Sequence, residues 1–367
     1  MKKTLCLALI GSPLLAAACT SSTPADPYAG ADSTDDTGKE DSAASRKLDG
    51  FTKIDLVSDR DGAATKDANL LNPWGIAFNP AGPAWIANNH SGTSTVYNAS
   101  GTLKLTVTLP AAAGSMDPSS PTGQVFNGAA GDFHGDMFIF DGEDGRIYGW
   151  QPATGVTVRG DHSASSSIYK GLAIASDDYG AQHLYLTDFH NGKIDVLDAN
   201  YQPVTLDGDF SDPRIPAGFA PFNAQALEGK IIVTYAQQDA DAADDAHGAG
   251  RGFVDQFDTQ GHLERRLITH GALNSPWALA IAPSTWGALA GSLLVGNFGN
   301  GRVHAYDIHA PASYGREKVV AEGTLYLGTS ALVIDGLWAL AVGPDDQMYF
   351  TAGQNGESNG LFGRLAH

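Results

Sequence analysis

Asp188 and His190 stand two residues apart in Thr187-Asp188-Phe189-His190-Asn191-Gly192-Lys193. On a strand that spacing puts both side chains on one face, where a carboxylate can orient an imidazole for acid–base work. The pair is therefore the candidate catalytic group. The Asn-Gly that follows could equally turn the chain and break the alternation. A second chemistry is oxygen ligation. Asp188, Asp239 and Asn297 are candidate ligands for a divalent cation such as calcium, which takes carboxylate and amide oxygens. Asp239, Asp241, Asp244, Asp245 and His247 crowd one segment, which could hold an ion or be a solvated acidic loop; it lacks EF-hand spacing. A Gly-x-Ser-x-Gly elbow, His-Glu-x-x-His and a phosphate loop are absent.

The elements that position these residues come from internal repetition. Six segments share a plan of a small-residue strand, a turn, a continuous apolar strand, then a tight turn and a third, alternating strand. The first strands are residues 74–78, 123–127, 171–175, 223–227, 277–281 and 338–342. The second are residues 84–88, 137–141, 184–188, 231–235, 293–297 and 348–352. Glu143-Asp144-Gly145-Arg146, His190-Asn191-Gly192-Lys193 and Gly299-Asn300-Gly301-Arg302 read as the hairpin turns into third strands. Small residues suit strands crowded about a ring centre, and continuous apolar runs suit strands buried on both faces. The pattern predicts an all-β, six-bladed β-propeller. The sixth repeat ends at Leu361-Phe362-Gly363-Arg364-Leu365 without a fourth strand. Lys53-Ile54-Asp55-Leu56-Val57-Ser58 is the unassigned strand expected to complete it and close the ring.

In that architecture the entry of each first strand and the exit of each second strand share one face. Asn72, Lys170, Asn223, Asn274 and Asp335 at entries, with Asn88, Asp141 and Gln237 at exits, are the candidate ligand-binding residues around one mouth of the channel. Each could instead bond nearby backbone and brace a turn. Trp74, Trp277 and Trp338 open three first strands and could stack on a sugar or serve as core.

Residues 1–18 read as an export signal: Lys2 and Lys3, a short apolar run, then small residues before Cys19. Leu14-Leu15-Ala16-Ala17-Ala18-Cys19 is similar to a bacterial lipobox, which would make Cys19 the lipidated N-terminus; an ordinary signal cleaved near Ala18 is the alternative. Residues 19–50 are rich in Ser, Thr, Ala, Asp and Gly and are expected to be a disordered acidic tether. The propeller is assigned to residues 51–367. The formal charge is −19, or −21 once Lys2 and Lys3 are removed (−19 − 2). That charge excludes nucleic acid as a partner, and contact with membrane is expected only through the N-terminal lipid.

Asn69-Leu70-Leu71-Asn72-Pro73-Trp74-Gly75, the segment around Asp188, Tyr235-Ala236-Gln237-Gln238-Asp239-Ala240-Asp241, Gly296-Asn297-Phe298-Gly299-Asn300-Gly301 and Ile334-Asp335-Gly336-Leu337-Trp338 resemble an uncharacterised family of exported bacterial six-bladed propellers, some with PEP-type sorting tails. More distantly the repeats are similar to NHL-type and gluconolactonase-type propellers. That likeness implies a divalent metal in the channel, with Asn223, Asn297 and Asp335 in the Asn and Asp roles and no Glu at the matching position. Three functions stay open. One is an exported, lipid-anchored monomer in the cell envelope, periplasmic or on the outer-membrane face, or alternatively secreted, that binds an envelope protein, a glycan or a small molecule. The second is a metal-dependent, lactonase-like hydrolase of a small sugar-like substrate. The third is a purely structural exported domain.

Overall fold

The structure, a computed structural model, describes residues 46–312 and 317–367. The export signal, Cys19 and nearly all of the tether lie outside the described residues.

Among the described residues the strands form six sheets arranged as the blades of a propeller. Blade 1 runs Pro73–Phe78, Ala84–Asn88, Thr93–Tyr97 and Leu103–Thr108. Blade 2 runs Pro121–Phe126, Phe138–Gly142, Arg146–Gln151 and Gly155–Asp161. Blade 3 has three strands, Tyr169–Ser176, Gln182–Asp188 and Lys193–Asp198. Blade 4 runs Phe219–Leu227, Lys230–Gln237, Phe253–Phe257 and Leu263–Thr269. Blade 5 runs Pro276–Ile281, Leu293–Asn297, Val303–Pro311 and Glu317–Leu327. Blade 6 runs Leu337–Val342, Met348–Gln354 and Asn359–Ala366, with Thr52–Ser58 as its fourth strand.

That fourth strand pairs antiparallel with the last strand of the chain, from Thr52↔Ala366 to Ser58↔Leu361, and so closes the ring as the repeats predict. Lys47–Leu48, which composition alone places in the tether, pairs in parallel with Thr324 and Leu325 on the edge of blade 5. Leu48 is buried in the layer between blades 5 and 6, so the propeller begins before Phe51. Leu48 and Phe51, two apolar residues three positions apart, are too few to stand out in a polar stretch.

The second strands Ala84–Asn88, Phe138–Gly142 and Leu293–Asn297 are buried along their whole length, and the other three at all but their end residues. Each is flanked by a blade on either side, so every side chain meets an apolar layer. One such layer fills every interface around the ring, including the closing one, where Leu56, Val57, Tyr349 and Phe362 of blade 6 meet Leu70, Ile86 and Tyr97 of blade 1. The small residues of the first strands are required by close approach at the axis. A Cβ on Gly123 would lie 2.4 Å from the Leu172 nitrogen of blade 3, and one on Gly75 would lie 2.7 Å from the Thr122 oxygen of blade 2.

A further cluster lies on the axis itself, at the entry ends of the first strands. Trp74, Trp277 and Trp338 are each about 2% exposed. Trp74 stacks on Trp338 with centroids 3.5 Å apart, Phe298 stacks on the other partner of that pair at 4.0 Å, and Trp277 meets both Trp74 and Trp338 edge-on. Phe189 and Phe222 complete it. The tryptophans are therefore core, and they plug the channel rather than offer an open face to a sugar.

Candidate functional site

Above the plug sits Lys170, the second residue of the first strand of blade 3. Its side chain is 1% exposed, and its Nζ donates to Glu143 Oε1 at 2.5 Å and to Asp244 Oδ1 at 2.6 Å. The ammonium lies over the Trp74 ring, 5.3 Å from the centroid. Burial works against the charged form, but Glu143 and Asp244 outweigh it and hold the Lys170 pKa above its ordinary value. Glu143 comes from the hairpin turn that leaves the second strand of blade 2, and its Oε2 accepts from Asn89 Nδ2 at 2.8 Å. Asp244 comes from the connection between the second and third strands of blade 4.

That connection is strapped over the mouth. Gln238 Nε2 donates to the Phe189 carbonyl at 2.6 Å, His190 Nδ1 lies 3.2 Å from the Ala242 carbonyl, and Gly248 N donates to Asn274 Oδ1 at 2.7 Å.

A third carboxylate approaches from blade 6. Glu357 Oε2 accepts from Asn72 Nδ2 at 2.7 Å, and the same nitrogen lies 3.4 Å from His90 Nε2. Burial pushes the Glu357 carboxyl up to about 7; the Asn72 bond opposes the shift and the charge of Glu143 adds to it. Asn72 (φ 45°), Ala242 (54°) and Glu357 (63°) are three of the thirteen non-glycine residues with positive φ among the described residues. Lys170 binds two of these carboxylates and the third interacts with it through space, so the four groups together carry −2 with all ionised (+1 − 3), or −1 with Glu357 protonated.

The sequence-derived candidates divide. Asn72 and Lys170 belong to this mouth. Asn88, Asp141, Asn223, Asn274 and Asn297 are spent on braces. Asn88 Nδ2 donates to Thr93 and Thr95 hydroxyls. Asp141 Oδ1 accepts from Gly123 N at 2.6 Å and Thr122 Oγ1 at 3.0 Å, and burial pushes its carboxyl up to about 7. Asn223 Nδ2 donates to the Trp277 carbonyl at 2.8 Å, stapling blade 4 to blade 5. Asn297 spans the Ala272 carbonyl and the Asn274 nitrogen. Asp335 is exposed and accepts from Asn355 N, and Gln237 is half-buried with its carbonyl accepting from Ala246 N.

Asp188 and His190 do not form a hydrogen-bonded pair. The Asp188 carboxylate, fully buried, turns in to Ile168 N, Asn191 N and Asn191 Nδ2, while His190 turns out to the strap. The hairpin at Asn191-Gly192 begins early enough to break the alternation. As a metal set Asp188, Asp239 and Asn297 are likewise committed elsewhere, Asp239 Oδ1 accepting from Ala243 N at 2.9 Å. Among the described residues no three His, Cys, Asp or Glu side chains gather as a metal-binding group.

Sequence reasoning missed Glu143 and Glu357. Both sit just past second-strand exits, in turns recognisable as hairpins, so the geometric rule that selected the exits would have reached them had it been extended into the turn.

No family model matches the sequence. Two proteins of Acanthamoeba polyphaga mimivirus, the uncharacterised proteins R648 and L690, are 33% and 32% identical to it. The alignments cover 84% of this chain in both cases, and 78% and 84% of theirs. Among solved structures, a glucose dehydrogenase aligns over 86% of this chain and 99% of its own with a TM-score of 0.56 at 13% identity. The soluble aldose sugar dehydrogenase of Escherichia coli aligns over 86% and 99% with a TM-score of 0.52 at 12% identity. A streptogramin B lyase aligns over 86% and 97% with a TM-score of 0.50 at 13% identity. At these identities the likeness is one of fold.

Proposed function

Since the chain belongs to one family with the mimivirus proteins R648 and L690, we propose that it is a binding propeller whose acidic channel mouth takes a positively charged partner. The observation that carries this reading is that Glu143 and Asp244, from two blades, both bind the buried ammonium of Lys170, with Glu357 of a third blade close enough to interact with the charges of all three. The surplus negative charge of these groups attracts cations and steers their approach. The partner is a basic segment of an envelope protein or a small polyamine. Export, lipidation at Cys19 and a tether are part of the same proposal; they rest on the residues before Arg46 and give the mouth reach from a membrane surface.

Calorimetric titration of the mature chain with spermidine and with an oligolysine peptide tests it. Saturable binding that weakens steeply with added salt, and is lost when Glu357→Gln is combined with Asp244→Asn, is expected. Binding that is absent at low salt, or the same in that variant, sinks the proposal.

A second reading has one observation of its own. With its carboxyl near 7, Glu357 can hold and release a proton at neutral pH, which suits hydrolysis of a small polar substrate in the mouth. A screen of lactones and sugar esters with and without divalent cation would support it by a rate that falls in Glu357→Gln.

A further inference from the structure

Five Asn-Gly pairs occur in the chain, at residues 127–128, 191–192, 300–301, 355–356 and 359–360. In such a pair the glycine has no side chain to keep its nitrogen from the carbonyl carbon of the asparagine amide, and that approach begins deamidation. The step needs a glycine N–H that no acceptor holds and an asparagine amide free to turn. The fold decides which pair meets both conditions.

Four pairs are held. Asn127 is 5% exposed, its Nδ2 donates to the Asp132 and Asp136 carbonyls, and its Oδ1 accepts from Ala129 N. Asn191 Nδ2 donates to Asp188 Oδ2 at 2.8 Å and to the Ser165 carbonyl, and Gly192 N donates to the Phe189 carbonyl. Gly301 is buried and its N donates to the Asn297 carbonyl at 2.9 Å, while Asn300 Oδ1 accepts from Arg302 N. Asp59 takes both parts of the last pair, from Asn359 Nδ2 at 2.6 Å and from Gly360 N at 2.8 Å.

The pair at 355–356 is different. Asn355 and Gly356 are both exposed, at the tip of the hairpin between the second and third strands of blade 6. Gly356 N has no hydrogen-bond partner among the described residues, and a Cβ built on this glycine would meet nothing within 4 Å. The Asn355 amide is tied by one exposed bond, from Nδ2 to Asn359 Oδ1 at 3.0 Å.

We propose that Asn355 is a site of spontaneous covalent modification, converted to aspartate and isoaspartate through a cyclic imide with Gly356. The Gly356 nitrogen gives up its proton and bonds to Asn355 Cγ. The bond from Cγ to Nδ2 breaks, and the side-chain nitrogen leaves as ammonia with its two hydrogens and that proton. Water then opens the imide at either carbonyl, which gives aspartate or, with the main chain routed through Cγ, isoaspartate. Either product adds one negative charge to the turn that carries Glu357, next to Asp335, whose carboxylate accepts from Asn355 N. It also ends the tie to Asn359, because a carboxylate has no hydrogen to donate.

Ageing the full-length protein at mildly alkaline pH, then mapping its peptides by mass spectrometry, tests the proposal. In the folded protein the Asn355 amide should convert about tenfold or more faster than the other four, each of which must first give up a hydrogen bond. In urea, where those bonds are gone, the gap should close. Electron-transfer fragmentation should find both aspartate and isoaspartate at this position. Asn355→Gln should remove the acidic form that accumulates on ion exchange. Conversion led by another pair in the folded protein, a gap that persists in urea, or an acidic form undiminished in Asn355→Gln overturns the proposal.

Discussion

Replacing Glu357 by Gln removes one proton-binding site and little else, because a Gln Oε1 can still accept from Asn72 Nδ2. In the native protein burial lifts this carboxyl from 4.5 to about 7. Between those pH values the unfolded chain has lost a proton that the folded chain keeps. The sign follows: folding is favoured by this group at and below pH 4.5, and the advantage disappears as pH rises to 7, after which the buried carboxylate carries its full cost. A shift of ~2.5 units is worth at most ~3.4 kcal/mol at ~1.4 kcal/mol per unit, and screening at a partly open mouth reduces that to roughly 1–2 kcal/mol. The Gln variant has no such pH term. It should match the parent near pH 4.5 and exceed it by roughly 1–2 kcal/mol near pH 8. Urea unfolding across that range, parent against variant, measures the difference. Asp141 and Asp255, which burial also pushes up to about 7, are common to both proteins and cancel. A difference that stays flat from acid to alkaline pH would refute the account of the mouth.

Two other substitutions test the parts on which the mouth rests. Lys170→Met leaves Glu143 and Asp244 facing each other without their cation, and removing one member of a buried ion group costs about 3 kcal/mol; the melting temperature should fall by several degrees, and adding Glu143→Gln should restore part of it. Trp338→Ala removes the ring that Trp74 and Phe298 stack on and frees Asn72 Oδ1, so a loss of about 3–5 kcal/mol in denaturant unfolding is expected.

The architecture was legible in the residues alone. Strand identity follows from local runs such as Leu184-Tyr185-Leu186, and blade number from how often the plan recurs. Closure followed from an unmatched strand at Lys53–Ser58 and an incomplete sixth repeat, because an edge without a partner is a local deficit that can be read before folding. The entry-and-exit rule also selected Asn72 and Lys170, which the structure sets against Glu357 and against Glu143 and Asp244, since strand direction fixes which end of each strand lies on that face. Tertiary packing alone settles which polar group at the mouth meets another side chain there and which braces backbone. Asn297 and Asn72 are the same residue type at related positions, yet one is spent on Ala272 and Asn274 while the other reaches Glu357. Asp188 and His190 are neighbours in sequence and part company in space, whereas Glu143, Asp244 and Glu357 come together from different blades. The physical reason is that desolvation selects the partners of a buried charge from everything within a few ångströms, and those distances exist only once six separately legible blades have closed into a ring.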